Sequence, residues 1–546
     1  MAGTVGLDFT PGPDDEPHLG RLHEETAAAH PDRIALIDGE SGDEVTYGEV
    51  EDRIAAAGNA LADLGVERGD RVALSFPNEL TFVYAFFGAA RLGAVPVPVN
   101  VQATSAKMRS VIDDSDAAVV VTSDDESILP EIRAAATAID AIETVAVAAP
   151  EPPGIDGVDV VDFATLLAEA DASLEPAPVD PDDPAMQPYT SGSTGDPKGV
   201  VLTHGGCAWM ITCIHRLHFL DEDDRAIVAG PLYHKNAMVG AIKPMLAIGG
   251  SVVVMDGFDA HDVIEAIDAH DVTYLRGVPA MYKMLVNATE ALADHDVESV
   301  DWAVSGSASL PNSLIEDVRD VFSCDMGEAY GLTETGGPIT LSPRWGPRKL
   351  GSSGLALPGA DIRIVDPETN EELPAGETGE LVIAAPSNGS YYRRPDTEAE
   401  AYFERDGRRF LHTDDLAYQD EQEYHYIVGR LDDMLIVGGE NVYPAEVENL
   451  LQRHERVRDV AVVGAPHAVK GEAPVAFVVA DDVTEEELKQ YTLENGPAYA
   501  HPRRVFLEDE LPLASTGKID RDALEAAARE RIEGGELRSS RPHHNE

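Results

Sequence analysis

Apolar and polar positions along the chain follow two alternating periods. Val50, Ile54, Ala57, Leu61 and Leu64 recur at helical spacing behind Thr46 and Glu49, a Thr-x-x-Glu pair that predicts a capping box, and Gly65 follows as the C-cap. Before that helix, residues 33–37 and 44–46 read as two strands around an Asp38-Gly39 turn. Short apolar runs at 72–75, 94–99, 118–122 and 144–147 predict further strands, and 80–92, 108–114 and 163–170 predict helices between and after them. The alternation resumes with a helix at 205–217 and strands at 225–229, 251–255 and 272–276. Strands alternating with helices at this pace predict parallel, helix-covered sheets.

From 351 to 430 the pattern changes. Gly and Pro become frequent, and 361–365, 379–383 and 423–428 alternate as antiparallel strands do. Residues 430–433 then separate a smaller unit with a helix at 444–453, strands at 460–463 and 475–479, and a helix at 485–492. The expected division is an N-terminal domain at 1–429, a hinge at 430–433, a C-terminal domain at 434–528 and a flexible polar tail at 529–546. The most apolar window, 82–99, is interrupted by Arg91, Pro96 and Pro98, so it reads as a buried helix and strand and not as a membrane span.

Charge alters the picture. Forty Lys and Arg stand against 100 Asp and Glu, a formal net charge of -60 over 546 residues. Such an excess repels nucleic acid and anionic membranes, and in dilute salt it destabilises a compact chain by self-repulsion. The Debye length falls to about 3 Å near 1 M salt, so a highly saline cytoplasm would screen that repulsion. A halophilic, cytoplasmic protein is therefore expected. Three cysteines, Cys207, Cys213 and Cys324, offer no disulfide framework, and the acidic, Gly/Pro-rich residues 1–17 do not resemble a signal peptide; both agree with a reducing compartment.

The candidate chemistry centres on 189–199, Tyr-Thr-Ser-Gly-Ser-Thr-Gly-Asp-Pro-Lys-Gly. Glycines admit backbone N–H groups close to an anion, the hydroxyls of Thr190, Ser191, Ser193 and Thr194 add donors, and Lys198 adds positive charge. Lys198 is followed by Gly199 and not by Ser or Thr, so the loop is not that of conventional P-loop enzymes; it reads as a phosphate cradle of another kind, with a flexible Gly/Ser linker as the alternative. Downstream lie Gly-Glu-Ala-Tyr-Gly-Leu-Thr-Glu-Thr at 327–335, His-Thr-Asp-Asp at 412–415, Gly-Arg-Leu-Asp-Asp at 429–433, Gly-Gly-Glu-Asn-Val-Tyr-Pro at 438–444 and Pro-Leu-Ala-Ser-Thr-Gly-Lys-Ile-Asp at 512–520. Singly, each reads as a turn, an ion pair or a cap.

Together, in this order, they resemble the adenylate-forming, AMP-dependent synthetase/ligase superfamily, and within it the acyl-CoA synthetase branch, from about Leu22 to Asp520. The resemblance implies an α/β fold: a large N-terminal domain of helix-covered mixed sheets with a β-barrel-like subdomain, and a small mobile α+β C-terminal domain. It implies attack of a carboxylate on the α-phosphate of ATP, then displacement of AMP by a thiol. The cradle Thr190, Ser191, Gly192, Ser193, Thr194, Gly195 and Lys198 would hold the outer phosphates, Thr333 the α-phosphate, Glu334 a Mg²⁺ ion, and Tyr330 the adenine. Asp415 and Arg430 would bind the ribose, although the family's usual Thr-Gly-Asp is here Thr413-Asp414-Asp415.

Lys518 would be the catalytic lysine of adenylation, Asp432 the hinge, and Gly438 and Gly439 the wall of a pantetheine tunnel. His234 would separate that tunnel from an acyl pocket formed with Ser305, Gly306 and residues 329–337. Those stretches are mostly small or apolar, which points to a fatty or aromatic acid without a dedicated counter-charge. Arg503, Arg504 and His501 are candidate contacts for the CoA nucleotide. The expected substrates are thus an acid, ATP and CoA, with Mg²⁺, no nucleic-acid partner, and a homodimer among the assemblies allowed. Two alternatives stay open: an enzyme that loads a carrier-protein thiol, and a non-catalytic acyl- or nucleotide-binding protein that keeps the fold.

Overall fold

The computed structural model describes residues 17–190, 197–308, 310–437, 440–467, 471–512 and 519–532. The expected elements form, most of them within a residue or two of the expected bounds. Thr46 caps the helix Tyr47–Asp63 reciprocally with Glu49, and Gly65 follows it at φ 85°. Two compact units result, one of residues 1–361 with 383–411 and one of 362–382 with 412–546.

The first unit holds a nine-stranded sheet. Its order is Leu355–Ala356, Gly337–Leu341, Asp325–Leu332, Trp302–Gly306, Tyr274–Gly277, Arg225–Val228, Ser251–Val254, Ile34–Asp38 and Glu44–Thr46. The six strands from Asp325–Leu332 to Ile34–Asp38 run parallel, and antiparallel strands close both edges. Ile37, Val253, Ile227, Leu275, Ala303 and Met326 make one apolar face across the register, buried under helices with Val263, Ile267, Leu314 and Val318. A second sheet is wholly parallel: Val95–Pro98, Arg71–Ser75, Val119–Thr122, Thr144–Val147 and Asp159–Asp162. The apolar window is the buried helix Leu80–Arg91 followed by the strand Val95–Pro98. Among the described residues no helix is long and apolar enough to cross a membrane.

A smaller antiparallel sheet in the same unit is built on Lys198–Thr203, which pairs with Tyr189–Thr190, Pro184–Met186 and Ser390–Tyr391. The described residues on either side of the candidate phosphate loop pair with one another, Lys198 opposite Thr190 and Gly199 opposite Tyr189. Tyr189 is anchored by its side chain: its hydroxyl donates to Asp114 Oδ2 at 2.9 Å and accepts from Gln187 Nε2 at 3.1 Å.

In the second unit, the strands expected to curl into a barrel-like subdomain form an open sheet that does not close on itself among the described residues. Asp415 lies opposite Arg430 in the pairing of Arg408–Gln419 with His425–Arg430. The rest of this unit is a sheet ordered Glu440–Val442, Leu435–Val437, Gly471–Ala480, Val457–His467, with Arg504–Leu507 pairing beside Gly471–Ala480. Its strands are apolar on both faces: Val460, Val462, Ala476 and Val478 pack with Val447, Leu451 and Leu488, while Ala461, Val463, Val475 and Phe477 pack with Leu524 and Ala528. Period-two alternation between two helix layers gives this arrangement.

Candidate active site

The carboxyl ends of the parallel strands position the candidate chemistry, the usual place for ligands in an open α/β sheet. The strand Asp325–Leu332 delivers Tyr330 and leads into a tight turn. Thr335 is fully buried there, accepting from Leu332 N at 3.0 Å and donating to Gly337 O at 2.8 Å, while Gly336 N bonds Thr333 O at 3.0 Å. These bonds fix the turn and project Thr333 and Glu334 from it. A Cβ on Gly331 would fall 2.0 Å from Gly337 O, so only glycine lets the chain fold back this closely.

Glu334 and Lys198, 136 positions apart in sequence, meet on one tyrosine. The Tyr391 hydroxyl donates to Glu334 Oε1 at 2.9 Å, and Lys198 Nζ lies 5.9 Å from the centre of the Tyr391 ring. The strand pairing sets this up, since Val200 lies opposite Tyr391 and Gly389 N donates to Glu334 O at 2.7 Å. The Tyr391 amide is held in turn by Glu398 Oε2 at 2.8 Å. Tyr402 packs alongside with its hydroxyl on Gly389 O at 2.7 Å; burial, with Tyr391 and Glu334 nearby, raises its phenol well above the ordinary range. Lys198 and the Glu334 carboxylate thus share one support, the Tyr391 side chain. A carboxylate oxygen backed by a hydroxyl donor suits a hard cation bound also by phosphate oxygens. Tyr391 was not foreseen, because nothing in its local sequence marks it.

A small cleft open to solvent lies beside this turn, lined by Asn236, Val239, Gly306, Ala329, Gly331 and Pro338 among others. Gly306 is one of the lining residues. Ser305, one residue earlier, alternates to the other face, fully buried with its hydroxyl lacking a partner. His234 does not line this cleft; its Nδ1 accepts from Asn236 N at 3.3 Å. Arg276 does line it, a charged side chain where none was expected.

In the second unit Asp415 is buried at 7 % exposure, with Oδ1 3.8 Å from Arg430 Nη1, and its amide donates to Thr413 Oγ1 at 3.1 Å. The departure from the family pattern has a conformational meaning: Asp414 has φ 56°, the left-handed region that glycine occupies most easily. Asp is among the residues that tolerate it. Glu380 Oε1 accepts from Asp414 N at 3.1 Å and its Oε2 lies 2.9 Å from His412 Nδ1; that contact raises the His412 pKa. Partial burial and Glu380 raise the pKa of Asp414. Of the CoA-nucleotide candidates, Arg504 Nε is held by Glu485 Oε1 at 3.0 Å. Ser191 to Gly195, Gly438, Gly439 and Lys518 lie outside the described residues.

Residues 23–393 match the model of the AMP-binding enzyme family, and residues 446–518 match that of the AMP-binding enzyme C-terminal domain. The chain belongs to the AMP-binding enzyme family. It is 34 % identical over 485 residues to a feruloyl-CoA synthase of Amycolatopsis, covering 88 % of this chain and 93 % of the relative. It is 32 % identical over 518 residues to 4-coumarate–CoA ligase 5 of rice, covering 92 % and 93 %. The solved structure of ATP-bound MatB from Rhodopseudomonas palustris superposes with a TM-score of 0.84 at 30 % identity, covering 94 % of this chain and 99 % of that one. The chain is thus an AMP-forming acid–thiol ligase of the acyl-CoA synthetase type, with ATP and CoA as co-substrates.

Proposed function

We propose that this enzyme adenylates a fatty or aromatic carboxylic acid with Lys198, Glu334 and Thr333 as the phosphate-binding pole of its site. The supporting observation is the convergence of Lys198 and Glu334 on Tyr391. Lys198 neutralises charge on the departing pyrophosphate, and Glu334, oriented by the Tyr391 hydroxyl, would hold Mg²⁺. The ion, when bound, screens the phosphate oxygens against the incoming carboxylate. Thr190 to Gly195 complete the cradle with backbone N–H groups and hydroxyls, and Tyr330 borders the adenine.

Asp415 accepts from the ribose hydroxyls, a role supported by its burial and by the in-register Arg430. Lys518 aligns the carboxylate with the α-phosphate and stabilises charge there, and Asp432 is the hinge between a domain of residues 1–429 and one of residues 434–528. Gly438 and Gly439 leave room for pantetheine, and His234 with Gly306 borders the acyl site. The enzyme works in a cytoplasm of high ionic strength.

The test is acid-dependent pyrophosphate release from ATP with purified protein, followed by thioester formation on adding CoA. Lys518→Ala should abolish release while leaving thermal unfolding unchanged, and unaltered release would refute the assignment. Replacing CoA by a phosphopantetheinylated carrier protein should yield no faster acyl transfer.

A further inference from the structure

Arg276 is the penultimate residue of Tyr274–Gly277, a strand flanked on both sides in the nine-stranded sheet. A cation at such a position is costly unless its donors are used. Two are: Nε donates to Asn236 Oδ1 at 2.7 Å and Nη1 to the Tyr274 hydroxyl at 3.3 Å. Both partners are neutral. Although the chain has 100 Asp and Glu, Arg276 forms no ion pair among the described residues, and its side chain is part of the lining of the cleft.

The fold also makes room for this side chain. A Cβ on Gly240 would lie 1.9 Å from Arg276 Nε and 2.2 Å from its Cδ. Gly240 sits in the π-helical turn Met238–Ile242, an irregularity that often marks a functional site. A missing side chain at Gly240 and a side-chain amide four residues earlier, at Asn236, therefore fix a half-satisfied guanidinium on the wall of a cleft that holds no other charged side chain.

We propose that Arg276, positioned by Asn236, is the counter-ion for a second carboxylate on the substrate, so that the acid activated here is a dicarboxylic acid. This rests on the ligase reading above and deepens it. A guanidinium matches a carboxylate through two parallel N–H···O bonds, which a hydrocarbon tail cannot replace. A monoacid of the same length would strip water from Arg276 and return nothing, so the site selects against it as well as for the diacid.

Matched pairs test this: butanoate against succinate, hexanoate against adipate, and cinnamate against 4-carboxycinnamate, each assayed by pyrophosphate release over a range of acid concentrations. The diacid of at least one pair should exceed its monoacid about tenfold in kcat/KM. Arg276→Met should raise KM for that diacid about 30-fold or more with a smaller change in kcat, and should reverse the preference. Gly240→Ala, which displaces Arg276 and keeps its charge, should move KM in the same direction, and Arg276→Lys should retain part of the preference. Wild-type preference for the monoacid in every pair, or an unchanged ranking in Arg276→Met, would overturn the inference and leave the ligase reading standing. Failure of every acid to release pyrophosphate would overturn both.

Discussion

Tyr391→Phe isolates the bond that joins the two halves of the phosphate-binding pole. It removes one hydroxyl, the donor to Glu334 Oε1 at 2.9 Å, and keeps the ring that Lys198 Nζ approaches at 5.9 Å. The strand pairing of Val200 with Tyr391 and the amide bond to Glu398 also survive. A hydrogen bond to a charged group contributes about 1.5–3 kcal/mol, which corresponds to roughly a 10- to 100-fold change when it orients a carboxylate needed for substrate binding. Acid-dependent pyrophosphate release, measured while Mg²⁺ is titrated at fixed ATP, should show the half-saturating Mg²⁺ concentration raised by about that factor. Thermal unfolding should lose no more than about 1 kcal/mol. Tyr402→Phe is the control: its hydroxyl serves Gly389 O, so the variant should lose stability without a comparable shift in Mg²⁺ dependence. Mg²⁺ dependence of Tyr391→Phe within twofold of wild type would refute the argued role of the tyrosine.

Other consequences follow from single residues. Gly331→Ala would place a Cβ 2.0 Å from Gly337 O, so it should destabilise the chain by about 2 kcal/mol or more in denaturant unfolding and abolish activity. Asp414→Gly relieves the φ of 56° and removes a carboxylate beside Glu380, so it should leave ATP turnover intact and hold or raise the unfolding midpoint. Burial pushes the Glu328 carboxyl from 4.5 up to about 8, so the folded chain binds a proton there that the unfolded chain has released between those values. Wild-type stability should therefore fall on the order of 1.4 kcal/mol per pH unit as pH rises across that window, and Glu328→Gln should flatten the fall when urea midpoints are compared at pH 5 and pH 8. With a net charge of -60, raising KCl from 0.1 to 2 M should raise the melting temperature; an unchanged one would contradict adaptation to high salt.

Much of this fold was legible because local patterns agree with tertiary placement. The capping box at Thr46 and Glu49, the alternation of Val460 to Val463, and the buried window at 82–99 each follow from spacing alone. Sheet order was not legible, since it depends on long crossovers: Arg225–Val228 lies between Ser251–Val254 and Tyr274–Gly277, and no local signal states this. The site divides in the same way. Lys198 and Glu334 stand in conspicuous motifs, whereas Tyr391 reaches both only through a strand pairing that spans nearly 200 residues. Arg276 was missed because it sits near the end of an apolar strand and its partners, Asn236 and the gap at Gly240, belong to other elements. Asp414 shows the converse: an apparent lapse from a glycine motif marks a position that is left-handed in the structure.

The most direct test of the central claim is the identity of the nucleotide product. Phosphorus NMR of a reaction containing the enzyme, ATP, Mg²⁺, CoA and a diacid should show one AMP and one pyrophosphate for each acyl-CoA formed, and none without the acid. Release of ADP and orthophosphate, or of AMP independent of the acid, would contradict an acyl-adenylate route.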